Sequence, residues 1–349
     1  VKTAQPLIEL NNLAAIISTN PTSKFYIVNS SVEQIISDLK SHNPSAHEMN
    51  ECVNRLNQYI DKFFWMTSTD EDLSLPRWKE ASSFAVILLK KLVENQNFST
   101  SIEADQIKIR EAEEIKARNV LGRGMGRLRI LRNRSFWKQV ENVKNHSWWR
   151  EEARYMLSRL YYFVYKAVDV LGSRYVQKKV IKEKSEIYKL TFEELLEYII
   201  SRESETIKEK ISKYTQMYNM FKNFGPPSTI GGIFHKDEEL KRDDTYEGVG
   251  CSPGIVRGRA RVVNNLTEVD QIQPKEILIV PYTNPGWTPV FSLISGIVME
   301  EGGLLSHGAV VARECGIPAI LQIENCTKVI KTGTLIEING TTGSLIIIE

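Results

Sequence analysis

The chain has 349 residues, of which 42% are hydrophobic and 25% are charged, and its formal net charge is +2. This length exceeds that of a typical single core, so we expect at least two domains. The charge gives no reason to expect binding to nucleic acid or to a membrane surface, no apolar run reaches the roughly 18 residues of a membrane span, and no signal peptide is visible.

Residues 1–224 are predicted to form a mostly α-helical domain. Within 149–176, apolar side chains recur at three- and four-residue steps and so share one helix face: Leu157, Leu160, Tyr161, Val164, Val168 and Leu171. Gly172 is a candidate end of this helix, and Arg174, Tyr175 and Val176 are equally able to continue it. Thr191, which acidic residues follow, is a candidate N-cap of the next one. The aromatic residues of the stretch suit either packing between helices or a ligand pocket.

Residues 225–246 are predicted to be a connector. Gly225 and two prolines end the preceding helix, a glycine pair loosens the chain, and a run of charged residues follows. This composition is typical of a hinge for a moving domain, and an ordinary surface loop has the same composition.

Residues 247–349 are predicted to form a compact α/β domain. Short β-branched runs alternate here with Pro, Gly and Asn, and the predicted strands are 260–264, 276–281, 296–300, 319–324, 334–338 and 344–348. A tight turn containing Asn339 and Gly340 is expected to join the last two strands.

One segment, residues 302–314, places a single histidine between a glycine pair and an apolar stretch that predicts a helix. A buried strand is predicted just before it. A helix that opens at Ser306 and His307 favours phosphate, because its first N–H groups lack partners and its dipole attracts anions. A neutral imidazole keeps a lone pair near pH 7 and is able to accept a phosphoryl group. The spacing alone equally allows a capping serine beside an ordinary surface histidine.

Three stretches carry a family resemblance. They are Gly-Cys-Ser-Pro-Gly-Ile-Val-Arg-Gly at 250–258, Pro-Tyr-Thr-Asn-Pro-Gly-Trp-Thr-Pro at 281–289, and the histidine segment continued through Cys-Gly-Ile-Pro-Ala-Ile at 315–320. In this order they resemble the phosphohistidine swivelling domain of the phosphoenolpyruvate-utilising enzymes. That family includes phosphoenolpyruvate synthase, pyruvate phosphate dikinase and the rifampicin phosphotransferases.

The resemblance implies that His307 is the phosphorylated residue and that its domain, residues 247–349, pivots between two active sites. It implies a phosphotransferase that is inactive without its other parts. ATP and Mg²⁺ would bind outside this chain, on an ATP-binding domain or subunit. The acceptor would be a small molecule such as pyruvate or a hydroxylated compound. The chain begins with Val1 rather than methionine, which indicates a part of a longer polypeptide.

Supporting roles are expected for five residues around His307. Ser306 is expected to cap the helix or to hydrogen-bond the phosphate. Gly302, Gly303 and Gly308 are expected to give clearance to a phosphoryl group. Arg313 is expected either to contact the phosphate or to form an ion pair with a carboxylate.

Two departures from the family pattern favour one branch. The synthases and dikinases usually have Thr two residues before the histidine and Ala directly after it, where this chain has Leu305 and Gly308. This chain therefore looks more like the rifampicin-phosphotransferase branch, whose middle helical region binds the acceptor. Asp-Leu-Ser-Leu-Pro-Arg-Trp at 72–78 and Arg-Glu-Glu-Ala-Arg at 150–154 resemble that region. Phe-Phe-Trp-Met at 63–66 lies near the place of the family's Gly-His-Arg, which implies that the acceptor site is either altered or lost.

Two other functions stay open from the sequence. The chain suits a separate phosphocarrier or regulatory subunit of a multi-subunit synthase, and it suits a non-catalytic binding module that keeps the fold. A fused or separate ATP-binding domain would distinguish the enzyme from the subunit, and the complete histidine motif speaks against the binding module.

Other polar clusters give weaker predictions. Eight basic residues and no acidic one lie between Lys116 and Lys138, a pattern that suits phosphate binding or a solvated helix face. The four cysteines show no Cys-x-x-Cys spacing, which predicts a reducing, cytoplasmic compartment and neither disulfides nor a zinc site. No metal-ligand cluster is predicted.

Overall fold

The structure is a computed structural model, and it describes residues 4–41, 47–67, 72–96, 102–121, 127–201, 204–221 and 244–348. The chain divides into two compact units. The first contains Val1–Asp70, Pro76–Ser158 and Arg242–Glu349, and the second contains Glu71–Leu75 and Arg159–Lys241. Among the described residues, no helix is both long enough and apolar enough to cross a membrane.

The predicted helical character of the N-terminal region is confirmed. The helices are α1 (Gln5–Thr19), α2 (Pro21–Asn29), α3 (Val32–Ser41), α4 (His47–Lys62), α5 (Ser83–Asn95), α6 (Ile102–Leu121), α7 (Arg127–Gln177), α8 (Phe192–Ser201) and α9 (Ser204–Phe221). In the first unit, α1 to α5 pack on one another through apolar side chains such as Leu7, Leu10, Leu88 and Leu89, which are completely buried.

The second unit has its own small core. It is formed by the end of α7, the 3₁₀ segment Lys184–Lys189, α8 and α9, and its buried side chains are Tyr175, Val180, Ile181, Ile187, Leu190, Leu195, Ile207 and Ile211. The predicted N-cap is confirmed. Thr191 Oγ1 accepts a hydrogen bond from the Glu194 N–H, and the Glu194 carboxylate accepts one from the Thr191 N–H, which is a capping box.

Of the two helix ends that the sequence allows, the structure has the later one, because α7 continues past Gly172 to Gln177. A Cβ atom at Gly172 would lie 3.4 Å from a methyl carbon of Ile187, so the glycine lets the following 3₁₀ segment pack closely against α7. The predicted apolar face of α7 is only partly covered. Leu157, Leu160 and Val164 are exposed.

The C-terminal region forms one mixed sheet of eight strands, as the predicted α/β class requires. The strands are β1 (Thr245–Glu247), β2 (Val249–Ser252), β3 (Ile255–Val262), β4 (Ile277–Val280), β5 (Gly296–Met299), β6 (Ala319–Leu321), β7 (Leu335–Asn339) and β8 (Ser344–Ile347). Their order in the sheet is β1-β8-β7-β3-β4-β5-β6-β2. Strands β3, β4, β5 and β6 are parallel to one another, and the other pairs are antiparallel. The helices α10 (His307–Cys315) and α11 (Cys326–Val329) follow β5 and β6.

The parallel strands form the buried centre of this sheet. Every residue of β4 and β5 is buried, which explains why both read as continuous apolar runs rather than alternating ones. All six predicted strands occur, although β3 begins at Ile255, earlier than its predicted start at Ala260. Strands β1 and β2 were not predicted, because each has few β-branched residues. The expected turn joins β7 and β8.

The predicted connector falls mostly outside the described residues, since the structure describes the chain again only from residue 244, and Thr245–Glu247 is already strand β1. The predicted boundaries 1–224, 225–246 and 247–349 stay a prediction. The structure groups the sheet with α1 to α6 and the first part of α7, because α1 and α5 pack on two 3₁₀ segments of the sheet region, Pro285–Ser292 and Leu266–Gln271.

Candidate active site

His307 is the first residue of α10, and it lies at the edge of the sheet where the parallel strands end. Ser306 is the N-cap of α10, with an extended backbone, so the predicted helix start is confirmed. The 3₁₀ segment Pro285–Ser292 follows β4, the neighbouring parallel strand, at the same edge. In α/β sheets, ligands bind outside the carboxyl ends of the strands, so this edge is where a reactive group is expected.

The imidazole of His307 is enclosed, with only 3% of the residue exposed. Its Nε2 atom lies 3.0 Å from Oγ1 of Thr288, which is itself completely buried in the 3₁₀ segment. The other ring nitrogen, Nδ1, is buried and has no hydrogen-bond partner among the described residues. The hydroxyl of Thr288 therefore orients the ring through one nitrogen and leaves the other without a hydrogen bond.

The surroundings of His307 hold its side chain in the neutral form. Burial, with the positive charges of Arg154 and Arg150 on α7 acting in the same direction, lowers the pKa of His307 to about 3. A neutral imidazole with an available lone pair is the form that attacks phosphorus. The same two guanidinium groups oppose a proton on the ring and would favour a negatively charged phosphoryl group there.

The loop before His307 is held by side chains from the sheet domain. Arg313 donates from Nη1 to the carbonyl of Cys251 (3.0 Å) and from Nη2 to the carbonyl of Leu304 (2.7 Å). Gln322 donates to the carbonyl of Gly302 at 2.9 Å. In this state the guanidinium of Arg313 supports the loop, and no carboxylate pairs with it among the ion pairs of the described residues. A direct contact of Arg313 with phosphate stays a prediction.

The other residues that are predicted to support a phosphate have different surroundings in the structure. Gly302 has a positive φ of 129°, which favours glycine whatever the ligand. Around Gly303 there is nothing within 4 Å of a built Cβ atom, so this residue leaves open space as expected. Ser306 makes no capping hydrogen bond through its side chain, and its buried Oγ has no partner among the described residues. That hydroxyl is therefore available to a phosphoryl group.

Gly308 has a packing role in place of the expected clearance for phosphate. A Cβ atom at this position would collide with Oγ1 of Thr283 and would lie 2.7 Å from the sulfur of Met299. Helix α10 therefore approaches the ends of β4 and β5 more closely than any side chain at position 308 would permit.

Replacing Gly308 by alanine is expected to destabilise the protein by about 1–3 kcal/mol, because overpacking forces side chains or backbone to move. Gly303→Ala is the matched control, with open space around its Cβ atom, and it is expected to change stability by less than about 0.5 kcal/mol. Urea denaturation of the two variants measures the difference. Equal stabilities would show that α10 has room at position 308.

A small pocket lies beside the charged side of this site. It has room for about one water molecule and is lined by Pro6, Trp65, Met66, Arg154, Tyr155, Ser158 and Pro285. The rings of Trp65 and Tyr155 meet edge to face with their centroids 5.0 Å apart. The indole Nε1 of Trp65 is buried and has no partner among the described residues. Arg154 both lines this pocket and acts on His307.

The sequence analysis assigned no role to Thr288, Arg150 or Arg154. All three lie in stretches that carried the family resemblance, which was the only signal available for them. Thr288 approaches His307 because β4 and β5 are adjacent and parallel, and Arg150 and Arg154 share one face of α7 because they are four residues apart.

The other polar clusters of the sequence show no second site. No group of three His, Cys, Asp or Glu side chains is placed to hold a metal ion in the described part of the chain. Within the basic run, Arg118 stacks on the ring of Trp137, with its guanidinium carbon 4.4 Å from the ring centroid, and Lys116 pairs with Glu113. These contacts are those of a solvated helix surface.

The sheet domain presents a neutral histidine at a helix N-terminus beside a parallel sheet, which is the arrangement expected of a phosphohistidine carrier domain of the swivelling type. Residues 272–343 match the family described as PEP-utilising enzyme, mobile domain. These residues therefore belong to the mobile-domain family of the phosphoenolpyruvate-utilising enzymes.

Relatives in this family extend the similarity to most of the chain. The rifampicin phosphotransferase of Bacillus cereus is 32% identical over 300 residues, which are 82% of this chain and 33% of that protein. The rifampicin phosphotransferase of Bacillus subtilis is 33% identical over 299 residues, with the same shares. A probable phosphoenolpyruvate synthase of Methanothermobacter thermautotrophicus is 36% identical over 118 residues, 34% of this chain and 17% of that protein. The chain spans about a third of the length of the rifampicin phosphotransferases that it matches.

Proposed function

We propose that this chain is the carrier and acceptor part of a phosphotransferase in which His307 carries the phosphoryl group. A phosphorus–oxygen bond of ATP breaks, and the rest of the nucleotide leaves with that oxygen and its electron pair. A phosphorus–nitrogen bond forms on the imidazole, which releases its ring proton. In the second step the phosphorus–nitrogen bond breaks and a phosphorus–oxygen bond forms to an acceptor hydroxyl, whose proton balances the one released. ATP and Mg²⁺ bind to a part of the enzyme outside this chain.

One observation carries the proposal. His307 is a buried, neutral imidazole at the N-terminus of a helix, fixed through Nε2 by Thr288. Phosphoryl transfer needs positioning and charge neutralisation more than it needs covalent groups from the protein. The helix N-terminus, the free hydroxyl of Ser306 and the two arginines of α7 supply both.

The acceptor is a hydroxyl-bearing organic molecule that enters beside Arg154. The pocket there has mostly apolar walls and one unsatisfied donor, the indole N–H of Trp65, a lining that suits an apolar molecule with a few oxygen atoms. Because its volume holds only about one water molecule, the proposal requires the pocket to widen when the acceptor binds. The names of the relatives make rifampicin the first acceptor to test. The Phe-Phe-Trp-Met stretch at 63–66 replaces the family's usual residues, so the proposal extends to the class of acceptor and not to rifampicin itself.

The test is to combine this chain with its cognate ATP-binding part, ATP and Mg²⁺, and to map acid-labile phosphate by mass spectrometry. We expect phosphate on His307 and none on a His307→Ala variant. His146, which is exposed on α7, is the internal control and is expected to stay unmodified. Full labelling of the His307→Ala variant would refute the carrier role.

The proposal includes two further elements of the sequence analysis. The sheet domain moves as a body between the ATP-binding part and the helices, on residues 225–246, and the protein works in the cytoplasm. Limited proteolysis tests the first of these, since a hinge is cleaved before the loops within either domain.

A further inference from the structure

The sheet domain rests on α1 and α5. Helix α5 faces the 3₁₀ segment Leu266–Gln271, and α1 faces the 3₁₀ segment Pro285–Ser292. Among the described residues, Lys91 and Asn11 each make a polar contact across this face. These contacts join residues far apart in the sequence, so they exist only while the sheet domain is seated on the helices.

Lys91 makes the stronger of the two contacts. Its Nζ donates to the backbone carbonyl of Asp270 at 2.6 Å and to that of Ile272 at 2.7 Å. These carbonyls lie at the C-terminal end of a helical segment, where carbonyl groups lack internal partners and carry a partial negative charge. The ammonium group of Lys91, on α5, therefore caps the C-terminal end of the 3₁₀ segment Leu266–Gln271, which belongs to the sheet domain.

Asn11 makes the second contact. Its side-chain amide donates both to the carbonyl of Leu7 in its own helix and to Oγ of Ser292, each at 2.8 Å. Only 1% of Asn11 is exposed. The bond to Leu7 fixes the amide, so that its second N–H is aimed at the sheet domain before contact is made.

We propose that Lys91, with Asn11, is a latch that holds the sheet domain against the helices in the state in which His307 is buried beside Arg154. This inference rests on the proposed function in one respect, namely that the carrier domain must leave the helices in each cycle. Lys91 suits the role because both acceptors are backbone atoms. The latch therefore recognises the end of a 3₁₀ segment and leaves the chemistry at His307 untouched.

Partial burial of Lys91 makes this contact reversible. Burial lowers the pKa of its ammonium group, and the nearby carboxylates of Asp270, Glu94 and Glu276 act in the opposite direction. The group is thus partly desolvated when seated and regains water on release, so that its release costs only part of what the two hydrogen bonds contribute.

The test uses the reactivity of His307 towards diethylpyrocarbonate, which modifies accessible neutral imidazoles. In the unphosphorylated wild-type protein His307 is buried and is expected to react slowly, whereas the exposed His146 reacts rapidly and serves as the internal standard. Lys91→Met keeps most of the aliphatic stem and removes the charge. We expect it to increase the rate at His307 about tenfold relative to His146, the size expected for loss of a charged hydrogen bond.

The adjacent lysine provides a matched control. Lys90 Nζ donates at 2.7 Å to the carbonyl of Ser30, a contact within the helices. Lys90→Met loses a similar bond without touching the sheet domain, so it is expected to leave the rate at His307 unchanged. Lys91→Arg keeps the charge and is expected to restore slow modification.

Three outcomes decide the proposal. A faster reaction in Lys91→Met alone supports the latch, whereas equal rates in Lys91→Met and wild type, or equal increases in both methionine variants, overturn it. If Lys91→Met does not fold, hydrogen exchange of the wild type decides. The latch then requires the backbone amides of α5 and of Leu266–Gln271 to exchange at the same rate, and faster than the backbone amides of β4 and β5. No phosphate enters these experiments, so a failed latch is distinguishable from a failed carrier role.

Discussion

Replacing Arg154 by methionine is expected to slow transfer from phosphorylated His307 to its acceptor by about 10²–10³-fold. The guanidinium acts on the imidazole and lines the adjoining pocket, so it lies where charge on the transferring group is neutralised. Removing one preorganised donor from such a site typically costs a factor of this size, and arginines in phosphoryl transfer reach 10³–10⁵. Single-turnover transfer from the phosphorylated protein to rifampicin, as the test acceptor, measures the effect.

Arg154 is the better target of the two arginines. Arg150 donates two hydrogen bonds to Glu151, which is only 5% exposed, so its removal would leave a buried carboxylate without its partner. Arg159→Met is the control, because Arg159 is exposed on the same helix and is not among the charges that act on His307. A readout without any acceptor is also available. Loss of Arg154 is expected to raise the pKa of His307, although burial keeps it below the ordinary value, and an NMR titration of the ring follows this. An unchanged transfer rate and an unchanged titration would remove Arg154 from the site.

Acidification from pH 7 to pH 5 is expected to lower the contribution of His307 to stability by about 2 kcal/mol. The pKa of His307 falls from 6.5 to about 3 on folding, mainly because the ring is buried. Between these values the unfolded chain binds a proton that the folded chain does not. The contribution is therefore complete above pH 6.5 and is lost as pH falls towards 3, at about 1.4 kcal/mol per unit.

A second group titrates in the opposite sense and must be separated from His307. Burial raises the pKa of Glu314, and the nearby carboxylate of Glu151 raises it further, whereas Arg313 opposes this. Glu314 therefore stabilises the fold as pH falls below its folded pKa, which offsets part of the loss from His307. The relevant quantity is the difference between wild type and His307→Gln in urea denaturation.

That difference is expected to shrink by about 2 kcal/mol between pH 7 and pH 5. When both proteins also carry Glu314→Gln, the difference between them is expected to shrink by the same amount. The reason is that the Glu314 carboxyl and the His307 imidazole titrate independently. If the difference between wild type and His307→Gln does not depend on pH, the imidazole is hydrated or protonated in the folded protein. The neutral-nucleophile argument would then fail.

All of these predictions depend on the burial of His307. A carrier histidine has to reach its donor and its acceptor, yet here it is enclosed by Thr288 and by charges from α7. Under the proposed function, the structure is therefore the seated state, in which the sheet domain rests on the helices. Conditions that weaken seating, such as low pH or loss of Lys91, are expected to expose the ring, while phosphorylation adds negative charge beside Arg150 and Arg154 and is expected to strengthen seating.

Three features were predictable from the sequence alone, namely the sheet domain, the position of His307 and the start of its helix. Each depends on local information. Continuous apolar runs predict buried parallel strands, and a glycine pair followed by Ser306 predicts a helix N-terminus. The N-cap at Thr191 was predictable for the same reason, because Thr191 and its partner Glu194 are only three residues apart.

Only the tertiary structure decided what surrounds His307. Thr288 reaches the ring because two parallel strands are neighbours in the sheet, and Arg154 reaches it because α7 packs in the same unit as that sheet. The sequence places Gly308 directly after His307, and this position suits either clearance for a phosphoryl group or close packing of α10. Only the positions of Thr283 and Met299 show that the glycine allows close packing. Contacts between residues distant in sequence depend on how whole elements pack, and no local pattern encodes that packing.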